Sequence, residues 1–98
     1  MSVHMVIELN NAEGAQTVLQ ALEAYKRELR SGIERTKRNL VEFESRYQVD
    51  TAHFLAEMVA EDLEGGDIEY VEWAGEAKIL ESLEAELLGL EDARYQLP

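Results

Sequence analysis

Residues 12–47 read AEGAQTVLQALEAYKRELRSGIERTKRNLVEFESRY, an unbroken stretch without proline. Within it Ala15, Val18, Leu22, Tyr25, Leu29, Ile33, Thr36, Leu40, Phe43 and Tyr47 recur at steps of three and four, which places all ten on one stripe of a helix. Asn11, just ahead, is a good N-cap residue. The reading predicts a helix over residues 12–47, roughly 50 Å long at 1.5 Å per residue. Two successive steps of four meet at Leu29–Ile33, a stutter that locally unwinds a supercoil. Gly32 sits there and costs about 1 kcal/mol relative to alanine in a helix interior. Ser31-Gly32 is therefore where the helix would kink or break.

A chain of 98 residues must cover so long a stripe with a second helix or with another copy of itself. If a copy covers it, Leu22, Leu29, Ile33, Leu40 and Phe43 form the interface of a homodimer. On the polar side, Glu23–Arg27, Glu34–Arg38 and Glu42–Arg46 are spaced as i,i+4 ion pairs in the favoured order.

Upstream, Val3-His4-Met5-Val6-Ile7-Glu8-Leu9 is short, rich in β-branched residues and stopped by Asn10-Asn11. It reads as a β-strand over 3–9, with Val3, Met5, Ile7 and Leu9 on one face. Such a strand must pair with a symmetry mate, pack on a helix or join a partner's sheet.

Downstream, Asp50 or Thr51 caps a short helix over about 50–62, with Phe54, Leu55, Met58 and Val59 at helical spacing. Glu64-Gly65-Gly66-Asp67 is the clearest break, with Gly65 suited to follow one helix and Asp67 to cap the next. A third helix over about 67–93 carries the stripe Tyr70, Trp73, Ala77, Leu80, Leu83, Leu87 and Leu90. The expected fold is mainly α: one domain over 1–98, a helical hairpin of two long helices joined through a short one, with a short N-terminal β-strand.

Charge is distributed unevenly. Over residues 1–47 seven basic and seven acidic residues cancel, whereas residues 48–98 hold two basic and fourteen acidic residues, so the whole net charge of −12 lies in the second half. That half repels nucleic acid and anionic membranes; it either attracts a basic protein surface or is a solvated face that keeps the chain soluble. No apolar run approaches the roughly 20 residues that span a bilayer. No secretory leader is read at the N-terminus. The chain has no cysteine, which excludes disulfides and thiolate chemistry and fits the cytoplasm.

Catalytic and metal-binding patterns are lacking. His4 and His53 lie in different predicted elements, and neither belongs to a paired-histidine or Glu-x-x-His motif. No serine sits in an elbow motif, and Gly65-Gly66 lacks the lysine of a phosphate loop. The acids at Glu61, Asp62, Glu64 and Asp67 do not match the twelve-residue calcium loop. The expectation is a protein that is not an enzyme and has no cofactor.

Ile68, Tyr70, Val71, Trp73 and Ala74 open the third helix with a broad apolar surface among Asp67, Glu69, Glu72 and Glu76. Aromatic anchors inside an acidic rim suit a basic partner. Tyr70, Glu72, Trp73, Glu76, Phe54 and Met58 are the candidate contacts. The competing reading packs Trp73 on Phe54 and Met58 in the chain's own core.

The run Phe43-Glu44-Ser45-Arg46-Tyr47-Gln48-Val49-Asp50-Thr51-Ala52-His53-Phe54 resembles an F-E-x-K-Y-G-M-S-S-x-x-F stretch of small archaeal and cyanobacterial antitoxins. The likeness continues through Glu64-Gly65-Gly66-Asp67 and Glu72-Trp73-Ala74, about 40 residues in all. Gln48 stands where that stretch has glycine. The antitoxins so resembled are partners of small RNase-like toxins of the TumE type. The resemblance implies a chain that binds and neutralises a cognate toxin, its acidic second half masking a basic surface. The alternative is a coiled-coil structural or adaptor protein that homo-oligomerises.

Overall fold

The computed structural model describes residues 3–93. Helix α1 spans Ala12–Tyr47, α2 spans Thr51–Glu57 and α3 spans Gly66–Glu91, with a single 3₁₀ turn at Ala60–Asp62 between α2 and α3. The protein is mainly helical. α1 and α3 run antiparallel as the two arms of a hairpin, with α2 and the 3₁₀ turn closing one end. The principal extents are 59 × 27 × 18 Å, so the molecule is a rod about as long as α1 itself.

α1 begins as its sequence directs. The Asn11 Oδ1 accepts the Gly14 N–H at 2.8 Å. The helix continues through Ser31-Gly32 without a break. Gly32 is buried, and a Cβ placed there would lie 3.2 Å from Leu83 Cδ1. The glycine is therefore where α3 comes close to α1, and packing there offsets its poor helix propensity. On the stripe, Leu29, Ile33, Thr36 and Leu40 are buried, and Tyr25 is the most exposed at 40%. The facing stripe Tyr70, Trp73, Ala77, Leu80, Leu83, Leu87 and Leu90 is buried or half-buried throughout. The apolar period of the two helices is the cause of the hairpin: each stripe removes the other from water.

α1 ends at Gln48, whose φ of 57° and ψ of 36° are left-handed. Here the Gln48 Nε2 donates to Ser45 O at 2.6 Å, satisfying a carbonyl of the last turn.

Four sequence expectations need correction. Residues 3–9 form no strand, and no β-strand occurs among the described residues. A strand needs a ladder for its backbone groups, and a single chain of helices offers none. The short helix ends at Glu57 rather than running to 62. Met58 and Val59 turn extended, the Asp62 carboxylate accepts the Val59 N–H at 2.9 Å, and Leu63 is brought into the core. At the second turn it is Gly66, not Gly65, that takes the left-handed conformation, with φ +61°, and α3 starts there, ahead of Asp67. Finally, none of the three i,i+4 ion pairs forms among the described residues: Glu23 pairs with Lys26, and Arg46 reaches across to Glu69.

Candidate functional site

The closed end of the hairpin is built around Trp73. Its ring stacks on Phe54 at 3.9 Å with an interplanar angle of 2°, and on Phe43 and Tyr47 at 5.3 and 5.8 Å. Phe54 in turn lies tilted against Tyr70 at 5.0 Å. Leu40 and Leu63 complete the buried cluster. Such aromatic pairs contribute about 0.5–1.5 kcal/mol each beyond the area they bury.

The polar atom of the tryptophan is satisfied from α2. Trp73 Nε1 donates to Thr51 Oγ1 at 3.0 Å, and Thr51 donates both its hydroxyl and its backbone N–H to Glu44 Oε2, at 2.9 and 2.7 Å. Asp50 caps α2 by accepting the His53 N–H at 2.7 Å. One short helix thus ties α1, through Glu44, to α3, through Trp73. On the other side, the Tyr47 hydroxyl donates to Glu69 and accepts the Glu64 N–H at 2.9 Å, while Arg46 Nη1 lies 2.6 Å from the second oxygen of Glu69. Burial, followed by the Glu69 carboxylate, pushes the Tyr47 hydroxyl above its ordinary pKa of 10.0.

Toward the open end, the Tyr25 hydroxyl donates to Glu86, and Arg30 pairs with Glu91 at 3.0 Å. The hydrogen bond to Glu86 first, then burial and the charges of Glu86 and Glu28, raise the Tyr25 pKa. Several acids of the second half therefore bind the hairpin together: Glu69, Glu76 and Glu91 meet Arg46, Asn39 and Arg30 on α1.

This arrangement redistributes the candidate partner contacts. Trp73 and Phe54 have no exposed surface, so neither can touch a partner while the hairpin is closed. Met58 and Tyr70 are half-buried against the same cluster, and Glu76 is half-buried and accepts from Asn39 Nδ2 at 3.2 Å. Of the six residues, Glu72 alone stands fully on the surface. The proposed oligomer seam is likewise occupied from within. Leu29, Ile33 and Leu40 are buried in the hairpin, Phe43 stacks on Trp73, and Leu22 is half-buried.

α3 exposes different apolar residues. Ile68 is 74% and Val71 67% exposed. At 100° per residue they lie roughly 140° and 160° around the helix from Trp73, on the face turned away from α1. Asp67 and Glu72 flank them and are exposed, as are Glu57, Glu61, Asp62 and Glu64 in the segment leading to α3. The signal for this pair was their i,i+3 spacing out of phase with the Tyr70–Trp73–Ala77 stripe. An apolar spot within an acidic surface attracts cationic proteins at long range and holds them by desolvation at short range.

His4 and His53 are both exposed and lie in separate parts of the chain. Among the described residues, no group of three or more His, Cys, Asp or Glu side chains is placed to hold a metal ion, and no helix is long and apolar enough to cross a membrane. Comparison with protein-family models, curated proteins and solved structures finds no match to this chain.

Proposed function

We propose that this chain is a non-enzymatic binding protein of the cytoplasm, an antitoxin that docks a basic toxin on its acidic second half and neutralises it. The observation that carries the reading is the exposed pair Ile68 and Val71, set among Asp67, Glu72 and the acids before α3. Two aliphatic side chains held in water on a rigid helix have no role in the hairpin's own core. The resemblance of residues 43–54, 64–67 and 72–74 to antitoxins supports the same direction. Trp73 and Phe54 enter it as the frame that holds the face in shape.

The test is co-expression with the adjacent reading frame. That neighbour, expressed alone, arrests growth, and this chain relieves the arrest. Replacing Ile68→Asp together with Val71→Asp leaves the helical circular dichroism intact but weakens binding to the purified neighbour by about thirtyfold or more, as loss of a hot spot does. A harmless neighbour, or rescue undiminished by the double substitution, sinks the reading.

A second reading, a homo-oligomerising coiled-coil adaptor, is favoured by one observation, the exposure of Val3, Met5, Val6 and Ile7 beyond the hairpin. It predicts a stable oligomer by light scattering together with an adjacent reading frame whose product neither arrests growth nor binds this chain.

A further inference from the structure

The residues before α1 are the most exposed apolar run described in the molecule. Val3 is 89% exposed, Met5 and Val6 are 83% each, and Ile7 is 54%. Their composition is that of a strand, yet nothing among the described residues gives them a ladder. The run is anchored where it meets the helix: Asn11 caps α1, and Leu9 lies against the first turn, its Cβ 3.5 Å from where a Cβ on Gly14 would stand.

The order of residues in this run is self-complementary. In an antiparallel pairing of two copies centred on Val6, Val3 faces Leu9, Met5 faces Ile7, and Val6 faces its own mate. His4 then faces Glu8, twice, on the opposite side of the ribbon from the Val3, Met5, Ile7 and Leu9 face. Shifting the pairing by one residue sets His4 and Glu8 against apolar side chains. Shifting it by two leaves Glu8 or His4 opposite Val6. A parallel, in-register pairing sets Glu8 on Glu8. Charge and alternation therefore select one register out of those available.

We propose that residues 3–9 are a docking surface for a second copy of this chain, forming a two-stranded antiparallel ribbon about a twofold axis at Val6. The ribbon supplies the backbone partners that each copy lacks. It gathers eight apolar side chains on one face, which Leu9 of each copy holds to the start of its own α1. Beyond the first turn of α1 the hairpin takes no part in this contact, and the α3 surface lies outside it, so dimerisation is independent of what α3 binds.

The chain has no cysteine, which allows a site-specific test on the whole 98-residue chain. Val6→Cys places two thiols directly opposite each other, within the Cα separation a disulfide requires. His4→Cys places them about four residues apart along the ribbon, roughly 13 Å. Mild oxidation is expected to crosslink the Val6→Cys protein into a covalent dimer at least tenfold faster than the His4→Cys protein. Analytical ultracentrifugation of the unmodified chain gives a dimer mass. His4→Glu, which brings like charges together, shifts the chain toward monomer, and His4→Glu with Glu8→Lys restores the dimer. All these positions are exposed in the monomer, so the hairpin's circular dichroism is unchanged. A monomer mass at the highest concentrations, equal crosslinking at the two positions, or no recovery in the double variant overturns the proposal.

Discussion

The two ends of the rod solve the same problem in opposite ways. Both carry aromatic or β-branched residues that water does not favour. At the closed end Phe43, Tyr47, Phe54, Tyr70 and Trp73 come from three helices and bury one another, and Thr51 and Glu44 satisfy the indole N–H. At the other end Val3, Met5, Val6 and Ile7 lie within one short stretch and remain exposed. Burial thus follows from convergence of separate elements rather than from hydrophobicity itself. Where only one element carries apolar groups, they stay available to another molecule.

Substitutions can break or sharpen this contrast. Trp73→Ala removes the ring on which three others stack and leaves a cavity, which costs about 3–5 kcal/mol. For a chain of this size that is most of the stability, so urea unfolding followed by circular dichroism should show little or no folded baseline. Met5→Ala, equally apolar in sequence, should leave the monomer's curve within about 0.5 kcal/mol. A smaller effect separates the polar part of the closed end from its packing. Thr51→Val keeps the shape but strands the Trp73 N–H without an acceptor, at about 1–3 kcal/mol. An unchanged urea midpoint would show that the indole bond is replaced by solvent.

The smallest effect is with pH. Tyr25 and Tyr47 both hold their protons above 10.0 in the folded chain: Tyr25 chiefly because its hydroxyl donates to Glu86, Tyr47 chiefly because it is desolvated and then because it donates to Glu69. Raised pKa values mean that the folded state binds these protons more tightly than the unfolded state. Their contribution is complete below pH 10 and is lost as pH rises through the folded values. Alkaline titration read by tyrosinate absorbance should show a late component that disappears on unfolding in urea. Tyr47→Phe should remove part of it.

Much of the fold was legible because it rests on period. The stripes Ala15–Tyr47 and Tyr70–Leu90 face each other as their spacing requires, and Asn11 and Asp50 cap α1 and α2. What sequence could not decide was set by contacts between elements. Arg46 has Glu42 one turn away and Glu69 on α3, and it pairs with Glu69. Met58 and Val59 continue a helical pattern, yet they turn extended where Leu63 enters the core. Gly32 looked like a point of weakness because its value lies in Leu83, fifty-one positions on.

The candidate surface was half legible for a similar reason. The start of α3 is apolar nearly all the way round, with Ile68, Tyr70, Val71, Trp73 and Ala74 in seven positions. Composition says that a surface is there but not which part faces water. Once α1 and α2 claim Trp73 and Tyr70, Ile68 and Val71 are left outside.

Trp73 is also the sole indole in the chain. Enclosed among three rings and shielded from solvent, it is a built-in fluorophore for the state of the hairpin. Its emission should lie at short wavelength while α2 clasps the two long helices together and shift to the red when they separate. A ligand seated on the outer face of α3 would leave that colour unchanged, so light from this one residue distinguishes docking from opening.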